Sequence, residues 1–468
     1  MDFAIPVPPQ GPTPNGRDAE LHIYPHRSEV QLPSVNCTAF SWSEKCRTRS
    51  SVIVNEEGDR DRQNFDTCPE YFRWIHEDLR PWTRTGITRE MLESGRPKAG
   101  FRLVIIDGRA YVEKFMDAYQ SRDKFTLWGI LQLLRLYPGK IPDLDLMFNC
   151  EDRPNIFIGD YSGPGPNSTA PPPVFRYCGD DDTLDIVFPD WSFWGWPEIN
   201  IKPWVPLMED LKQGNKRTKW SNREAHAYWK GNIKVSMVRY KLLGCNLSRE
   251  HDWKARVFMQ DWDKEQEQRF KNSNLADQCV HRYKIYVEGV GWSVSLKYIL
   301  ACDSVTLMVN PYYYDFFTRS LVPMHHYWPI KDDDDMCNSI KFAVDWGNTH
   351  QQKVRAIGKA ASKFTEEQLR MEKVYDYMFH SLNEYSKLLT FKPTIPPNAT
   401  ELCLEELACP AQDLATKFMI DTLVKRPSFS SPCSLLPPFS PTDLDNIRIR
   451  KETPIKQVQM WEKNMSFI

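Results

Sequence analysis

Residues 283–311 read YKIYVEGVGWSVSLKYILACDSVTLMVNP, and the fold follows from how this stretch divides. Its first five residues have the β-branched and aromatic content of a strand. Gly289 and Gly291 interrupt that strand. Trp292, Leu296, Ile299 and Leu300 then recur at helical spacing, and Asp303-Ser304 stops the helix. Residues 305–309 form a second short apolar strand. Strand, glycine turn, helix and strand make a βαβ unit of nearly minimal size, which requires a parallel sheet. A glycine turn opening a helix can cradle a diphosphate, because backbone N–H groups and the helix dipole favour an anion. Plain helix–sheet packing accounts for the same two glycines equally well.

At 468 residues with 26% charged, the chain is long enough for two lobes and tails. A net charge of −2 argues against bulk nucleic-acid binding. No run of about 18 apolar residues occurs, so no membrane-spanning helix is expected. The start, MDFAIPVPPQGPTPNG, has neither a basic leader nor an apolar core, so no signal peptide is expected in this chain. Against that stand five N-x-[ST] sequons (Asn36, Asn167, Asn246, Asn398, Asn464) and 12 Cys without a zinc-type C-x-x-C pair. These favour an oxidising secretory compartment, and an incomplete or alternative N-terminus would reconcile the two. Cys279 and Cys302 flank the βαβ unit, either as buried thiols or as a bridge worth ~3 kcal/mol in the chain-entropy model. Cys403 and Cys409 are expected to form a local bridge.

Outward from the unit, residues 1–66 are Pro-rich and then charged, a tail with little fixed structure. Order is expected from Cys68, with a helix at 68–82 and a short helix N-capped by Thr88. A hairpin is expected around Asp107-Gly108, and an amphipathic helix over 121–137. Residues 143–149 are a buried strand followed at once by Cys150-Glu151-Asp152-Arg153-Pro154. Open α/β sheets place chemistry just past such strand ends, although a solvated loop in which Asp152 merely pairs with Arg153 fits as well. Four aromatic residues crowd 191–196 (Trp191, Phe193, Trp194, Trp196), either a stacking platform for sugar or peptide or a structural loop. Residues 228–243 form a second strand–Gly–helix junction. Helices are expected at 339–348, 352–364 and 365–389, followed by a loosely packed Pro/Cys extension over 393–468.

Several blocks together resemble the Rumi-like protein O-glucosyltransferases, glycosyltransferase family 90, and within them most closely the plant branch. They are LMFNCEDRP, FPDWSFWGWP, AYWKGN, CVHRYKIYVEGVGWSVSLKYILACDSVTL and FAVDWGNTHQQKVRAIGKAASKF with NEYSKLLTFKP, in that order over roughly 68–393. The resemblance implies a GT-B-like α/β fold, two Rossmann-like lobes facing a cleft. The first lobe would span 67–205, completed by a helix at 372–390, and the second 206–371. It also implies inverting transfer of glucose or xylose from a UDP-sugar to a protein or glycan hydroxyl, without metal or other cofactor, in the endoplasmic reticulum or Golgi lumen. Polysaccharide synthesis and a non-catalytic binding protein of the same fold remain alternatives.

Carried over by motif, the base falls on Asp152. Donor contacts fall on Asn232, Arg239 and the turn Val290, Gly291, Trp292, Ser293, Val294 and Ser295, with Lys297 and Lys230 as further cations. The acceptor side falls on Trp191, Trp194, Trp196 and Lys202. Three departures stand out. Ser295 occupies the place of a family Arg, residues 198–203 shorten the segment that meets peptide acceptors, and Asp376 stands near an expected Cys. Asp143-Leu144-Asp145 fits a short metal-binding D-x-D pattern, but at the strand end opposite the expected cleft.

Overall fold

The computed structural model describes residues 31–39, 46, 66–161, 170–428 and 430–465. Most of the N-terminal tail and the Asn167 sequon lie outside them. Strands β1 (Phe101–Ile106), β2 (Arg109–Lys114), β3 (Leu144–Phe148), β4 (Val174–Arg176) and β5 (Ile186–Val187) belong to the first lobe. Strands β6 (Glu224–Gly231), β7 (Ala255–Met259), β8 (His281–Tyr286), β9 (Val305–Val309) and β10 (Trp328–Ile330) belong to the second, and β11 is Thr400–Leu402. Among the described residues they form two sheets, ordered β11-β2-β1-β3-β4-β5 and β10-β9-β8-β6-β7.

The deciding stretch folds as a βαβ unit: β8 and β9 pair in parallel, with Tyr283 opposite Val305 and Tyr286 opposite Met308. The intervening helix is shorter than its apolar spacing suggests, running only over Ser295–Leu300. The residues before it are held as a turn, where the Gly289 N–H donates to the Gly291 carbonyl and the Ser293 N–H to the Tyr286 hydroxyl. The second sheet is parallel throughout. The first is mixed: β1, β2, β3 and β11 pair antiparallel, while β3, β4 and β5 run parallel. The Asp107-Gly108 hairpin forms, and Thr88 caps its helix by accepting from the Met91 N–H.

The expected helix over 365–389 instead begins at Met371, after a break at Leu369-Arg370. Trp204 Nε1 takes the Leu369 carbonyl at 2.6 Å and the Tyr71 hydroxyl takes that of Gln368 at 2.8 Å. Tertiary donors thus replace helical ones at the point where the chain crosses between lobes. The helix Met371–Ser386 packs on the first sheet, its Tyr385 hydroxyl reaching the Asp145 carbonyl at 3.0 Å.

Beyond residue 393 the chain is not a loose extension. It adds β11 to the first sheet, and the 25-residue helix Pro441–Met465 runs from Arg73 of the first lobe (2.8 Å to Asp443) to the second-lobe core at Val458 and Trp461. The expected Cys403–Cys409 bridge is absent. Cys403 bonds Cys46, Cys409 bonds Cys37, and Cys433 bonds Cys68. The helix Leu404–Ala408 separates the two, and six residues at helical rise span about 9 Å, too far for a disulfide. Of the two readings of Cys279 and Cys302, the bridge is the one that forms, and a further one joins Cys245 to Cys337.

Candidate active site

The C-terminal ends of β3, β6, β7 and β8 open onto one cleft of about 550 Å³. Asp152, just past β3, stands on its first-lobe side. Its Oδ1 lies 3.1 Å from Arg122 Nη1, at the start of the helix Arg122–Leu136. Arg122 is buried and clamped between rings, with its guanidinium 4.6 Å from Trp191, 5.1 Å from Tyr119 and 5.7 Å from Trp196. Pairing with Arg153 does not occur; Arg153 Nε instead donates to the Val290 carbonyl of the other lobe at 2.7 Å. The carboxylate is thus aimed by a rigid partner while its side chain stays 35% exposed to the cleft.

The glycine turn meets Asp152 directly. A Cβ built on Gly291 would collide with the Asp152 carbonyl oxygen, so glycine is required here for close approach between lobes. Gly291 itself is packed away against the first lobe, and Gly289, Val290, Trp292, Ser293, Val294 and Ser295 face the cleft. The Ser293 and Ser295 hydroxyls are 2.8 Å apart.

Arg239, in the short helix Met237–Leu243, supplies the cation. Its Nε donates to the Glu288 carbonyl (2.8 Å), Nη1 to the Asn232 carbonyl (3.1 Å), and Nη2 to the Val287 carbonyl and Ser293 Oγ (3.2 Å each). Among the described residues no carboxylate lies within ion-pair distance, and burial pulls its pKa below the usual arginine range. A half-buried guanidinium held by carbonyls, a hydroxyl and the face of Trp229 (5.5 Å) keeps its charge available to an anion in the cleft. Asn232 lines the cleft, but its side chain caps the next turn by accepting from the Lys234 N–H at 2.9 Å.

Other expected residues are placed differently. Lys230 lines the cleft, yet its Nζ is committed to the Asn272 carbonyl (2.6 Å) and Glu265 (3.3 Å). Lys297 points away from the cleft into the lobe interface, bonded to Ser192 Oγ at 2.6 Å and Asp190 at 3.3 Å. It therefore does not stand in for the missing arginine at Ser295. Trp191 and Trp196 do line the cleft. Trp194 is core, its indole N–H on the Tyr375 hydroxyl at 2.9 Å and its ring against Gly129. Lys202 pairs with Asp210 at 2.6 Å, outside the cleft. Asp145 of the D-x-D pattern is buried and doubly bonded to Arg102 at 2.7 Å, and Asp143 caps the Asp107 N–H. Asp376, in place of the expected Cys, accepts from the Tyr137 hydroxyl at 2.6 Å.

Sequence reasoning missed Arg122, Tyr298, Gln278 and Lys284, all of which line the cleft. No local pattern marks them, because each is brought there by packing. Burial pushes the Tyr298 hydroxyl up to about 12 and Lys284 down to about 7.

Two facing α/β lobes with a carboxylate on one wall and a cationic hydroxyl-rich turn on the other constitute a GT-B-like glycosyltransferase architecture. The family model of Glycosyl transferase family 90 matches residues 63–462, and the chain belongs to that family. It is similar to protein O-glucosyltransferase 1 of Homo sapiens, 26% identical over 365 residues that cover 73% of this chain and 87% of the human protein. It is also similar to O-glucosyltransferase rumi of Drosophila melanogaster, 25% identical over 385 residues that cover 78% of this chain and 88% of the fly protein.

Proposed function

We propose that this protein is an inverting, metal-independent glycosyltransferase that moves glucose or xylose from a UDP-sugar to a hydroxyl of a protein or glycan. The observation that carries the reading is Asp152, aimed by Arg122, across one cleft from Arg239, Ser293 and Ser295. Asp152 takes the acceptor proton, and the acceptor oxygen attacks the anomeric carbon opposite the leaving diphosphate, so configuration inverts. Arg239, the two serine hydroxyls and the turn meet the charge that grows on UDP. That cation supports the metal-independent reading, as does the commitment of the D-x-D carboxylate of Asp145 to Arg102.

The names of the relatives support a protein acceptor. Five disulfides support folding in an oxidising lumen, that of the endoplasmic reticulum or Golgi. A second reading, a binding protein that does not turn over, is favoured by Ser295 and by the commitment of Lys297 to Asp190.

A screen of UDP-sugars with the full chain, with and without excess chelator, separates the two. The expected result is release of UDP from UDP-glucose or UDP-xylose that persists in chelator. Asp152→Asn is expected to lower transfer by about 10²–10⁴-fold while calorimetric UDP affinity stays unchanged. UDP binding without turnover of any donor would favour the binding protein, and no UDP binding at all would end the donor-site reading.

A further inference from the structure

Lys284 is a buried lysine without a counter-ion. It lies on β8, is 1% exposed, and makes no ion pair among the described residues. Among the described residues its Nζ has one hydrogen-bond contact, the Cys302 sulfur at 3.6 Å, and the nearby charge of Arg223 acts against it. The hydroxyl of Thr306, its neighbour across β9, is buried and also without a hydrogen-bond partner. An ammonium taken out of water and left unpaired is costly, so such a group persists where occupation of the site supplies an acceptor.

The position of this lysine says which part of a ligand that is. Lys284 lines one corner of the cleft together with Leu275 and Gln278, from the short helix Leu275–Val280, and with Ile299 and Tyr228. Tyr228 stands directly opposite Lys284 in the β6–β8 pairing. The Cys279–Cys302 disulfide ties the two helical walls of the corner together beside Nζ. Asp152, with Gly291 packed against its carbonyl, marks the other end of the cleft at the lobe contact, and Arg239 with Ser293 lies at the C-terminal end of β8 in between. A nucleotide sugar is linear in its chemistry: sugar, diphosphate, ribose, base. With the sugar at Asp152 and the diphosphate at Arg239, the base falls to the Lys284 corner. That corner offers apolar walls, an aromatic ring with one face already stacked on His281 at 4.2 Å, one amide and one amine, which suits a flat ring bearing keto oxygens.

We propose that Lys284, with Gln278 beside it, recognises the base of the donor by donating to the O4 keto oxygen of uracil, which makes Lys284 the residue that selects the nucleotide. The proposal rests on the donor-site reading above. Once protonated, as a keto oxygen in the site favours, Lys284 is donor-only and discriminates against a base that presents an amino group at the same place, because donor would then meet donor.

The test is calorimetric titration of the full chain with UDP, CDP and ADP, using wild type, Lys284→Met and Gln278→Ala. Wild type is expected to prefer UDP. Lys284→Met removes the ammonium while keeping the chain length, and is expected to weaken UDP binding by about tenfold or more and to erase most of the preference over CDP. It should not lower the melting temperature, since it replaces an unpaired buried charge by an apolar group. Gln278, only half-buried, serves as the second probe, and its truncation is expected to reduce the same preference by a smaller factor. If both variants bind UDP with wild-type affinity and selectivity, the base lies elsewhere and the proposal fails while the donor site stands. If wild type binds none of the three nucleotides, the donor-site reading and this proposal fail together.

Discussion

The two lobes present their functional groups by different means. In the second lobe one stretch of the cleft wall comes from near-consecutive residues between Gly289 and Ser295, projected from the end of one strand of an all-parallel sheet. Its two disulfides, Cys245–Cys337 and Cys279–Cys302, are both internal to that lobe. In the first lobe the sheet is mixed, and three disulfides join residues 37, 46 and 68 to residues 409, 403 and 433. The carboxylate proposed as base, Asp152, is aimed by an arginine 30 positions earlier and backed by a glycine from the other lobe. A parallel βαβ unit carries its own site, because the turn at the strand end is built by local chain geometry. A mixed sheet closed by the chain termini has to assemble one.

The lobes are not independent bodies sharing a hinge. The helix Ser295–Leu300 belongs to the second lobe by sequence, yet Leu296, Ile299 and Leu300 sit in the core cluster of the first. Lys297 from the same helix enters the first lobe to reach Asp190, and Arg319 is doubly bonded to Asp78 at 2.6 and 2.8 Å. A two-bond β-bridge joins Gly179 to Tyr314.

The sharpest way to break this comparison is to cut the shared core at Lys297. Lys297→Met leaves Asp190 as a buried carboxylate without its cation and is expected to destabilise the protein by about 3–5 kcal/mol. Adding Asp190→Asn should recover most of that loss, read by denaturant unfolding. If the single variant unfolds like wild type, the lobes are held by other contacts and the core is less continuous than described.

A smaller effect is expected at the point where the lobes touch. Gly291→Ala places a methyl group against the Asp152 carbonyl, and either the turn or the carboxylate must shift. An overpacking cost of roughly 1–3 kcal/mol is expected, with a fall in turnover larger than the change in UDP affinity. Equal loss in both would mean that the turn, rather than Asp152, had moved.

An effect of similar size concerns pH and the second lobe alone. Glu288 accepts from the backbone N–H groups of Tyr312 and Tyr313, and burial raises its pKa to about 7. A carboxyl raised in the folded state contributes stability below its unfolded pKa, and loses it as pH climbs through the folded value. Wild type should therefore lose roughly 1–3 kcal/mol between pH 4.5 and 7 from this group, allowing for solvent screening. Glu288→Gln should flatten that part of the stability curve. An unchanged slope would place the titrating group elsewhere.

Much of the second-lobe site could be read from residues 283–311, because strand, turn and helix there are consecutive and their side-chain periods are local properties. The hairpin at Asp107-Gly108 and the strand leading to Asp152 were legible for the same reason. The misplaced site residues share one cause. Trp194, Lys297 and Lys202 have the residue types of a sugar-binding cleft, but their side chains are taken by Tyr375, by Asp190 with Ser192, and by Asp210. Residue type states what a side chain can do and not which partner reaches it first.

The amino-acid sequence by itself thus determined the parallel βαβ unit, the position of Asp152 at a strand end and the family pattern, all of which depend on neighbours within a few positions. Tertiary structure alone decided that Arg122 aims Asp152, that Lys284 lies buried without a counter-ion, and that cysteines more than 350 positions apart bond to one another. Those contacts depend on burial and on the packing of distant segments, which side-chain period and spacing do not encode.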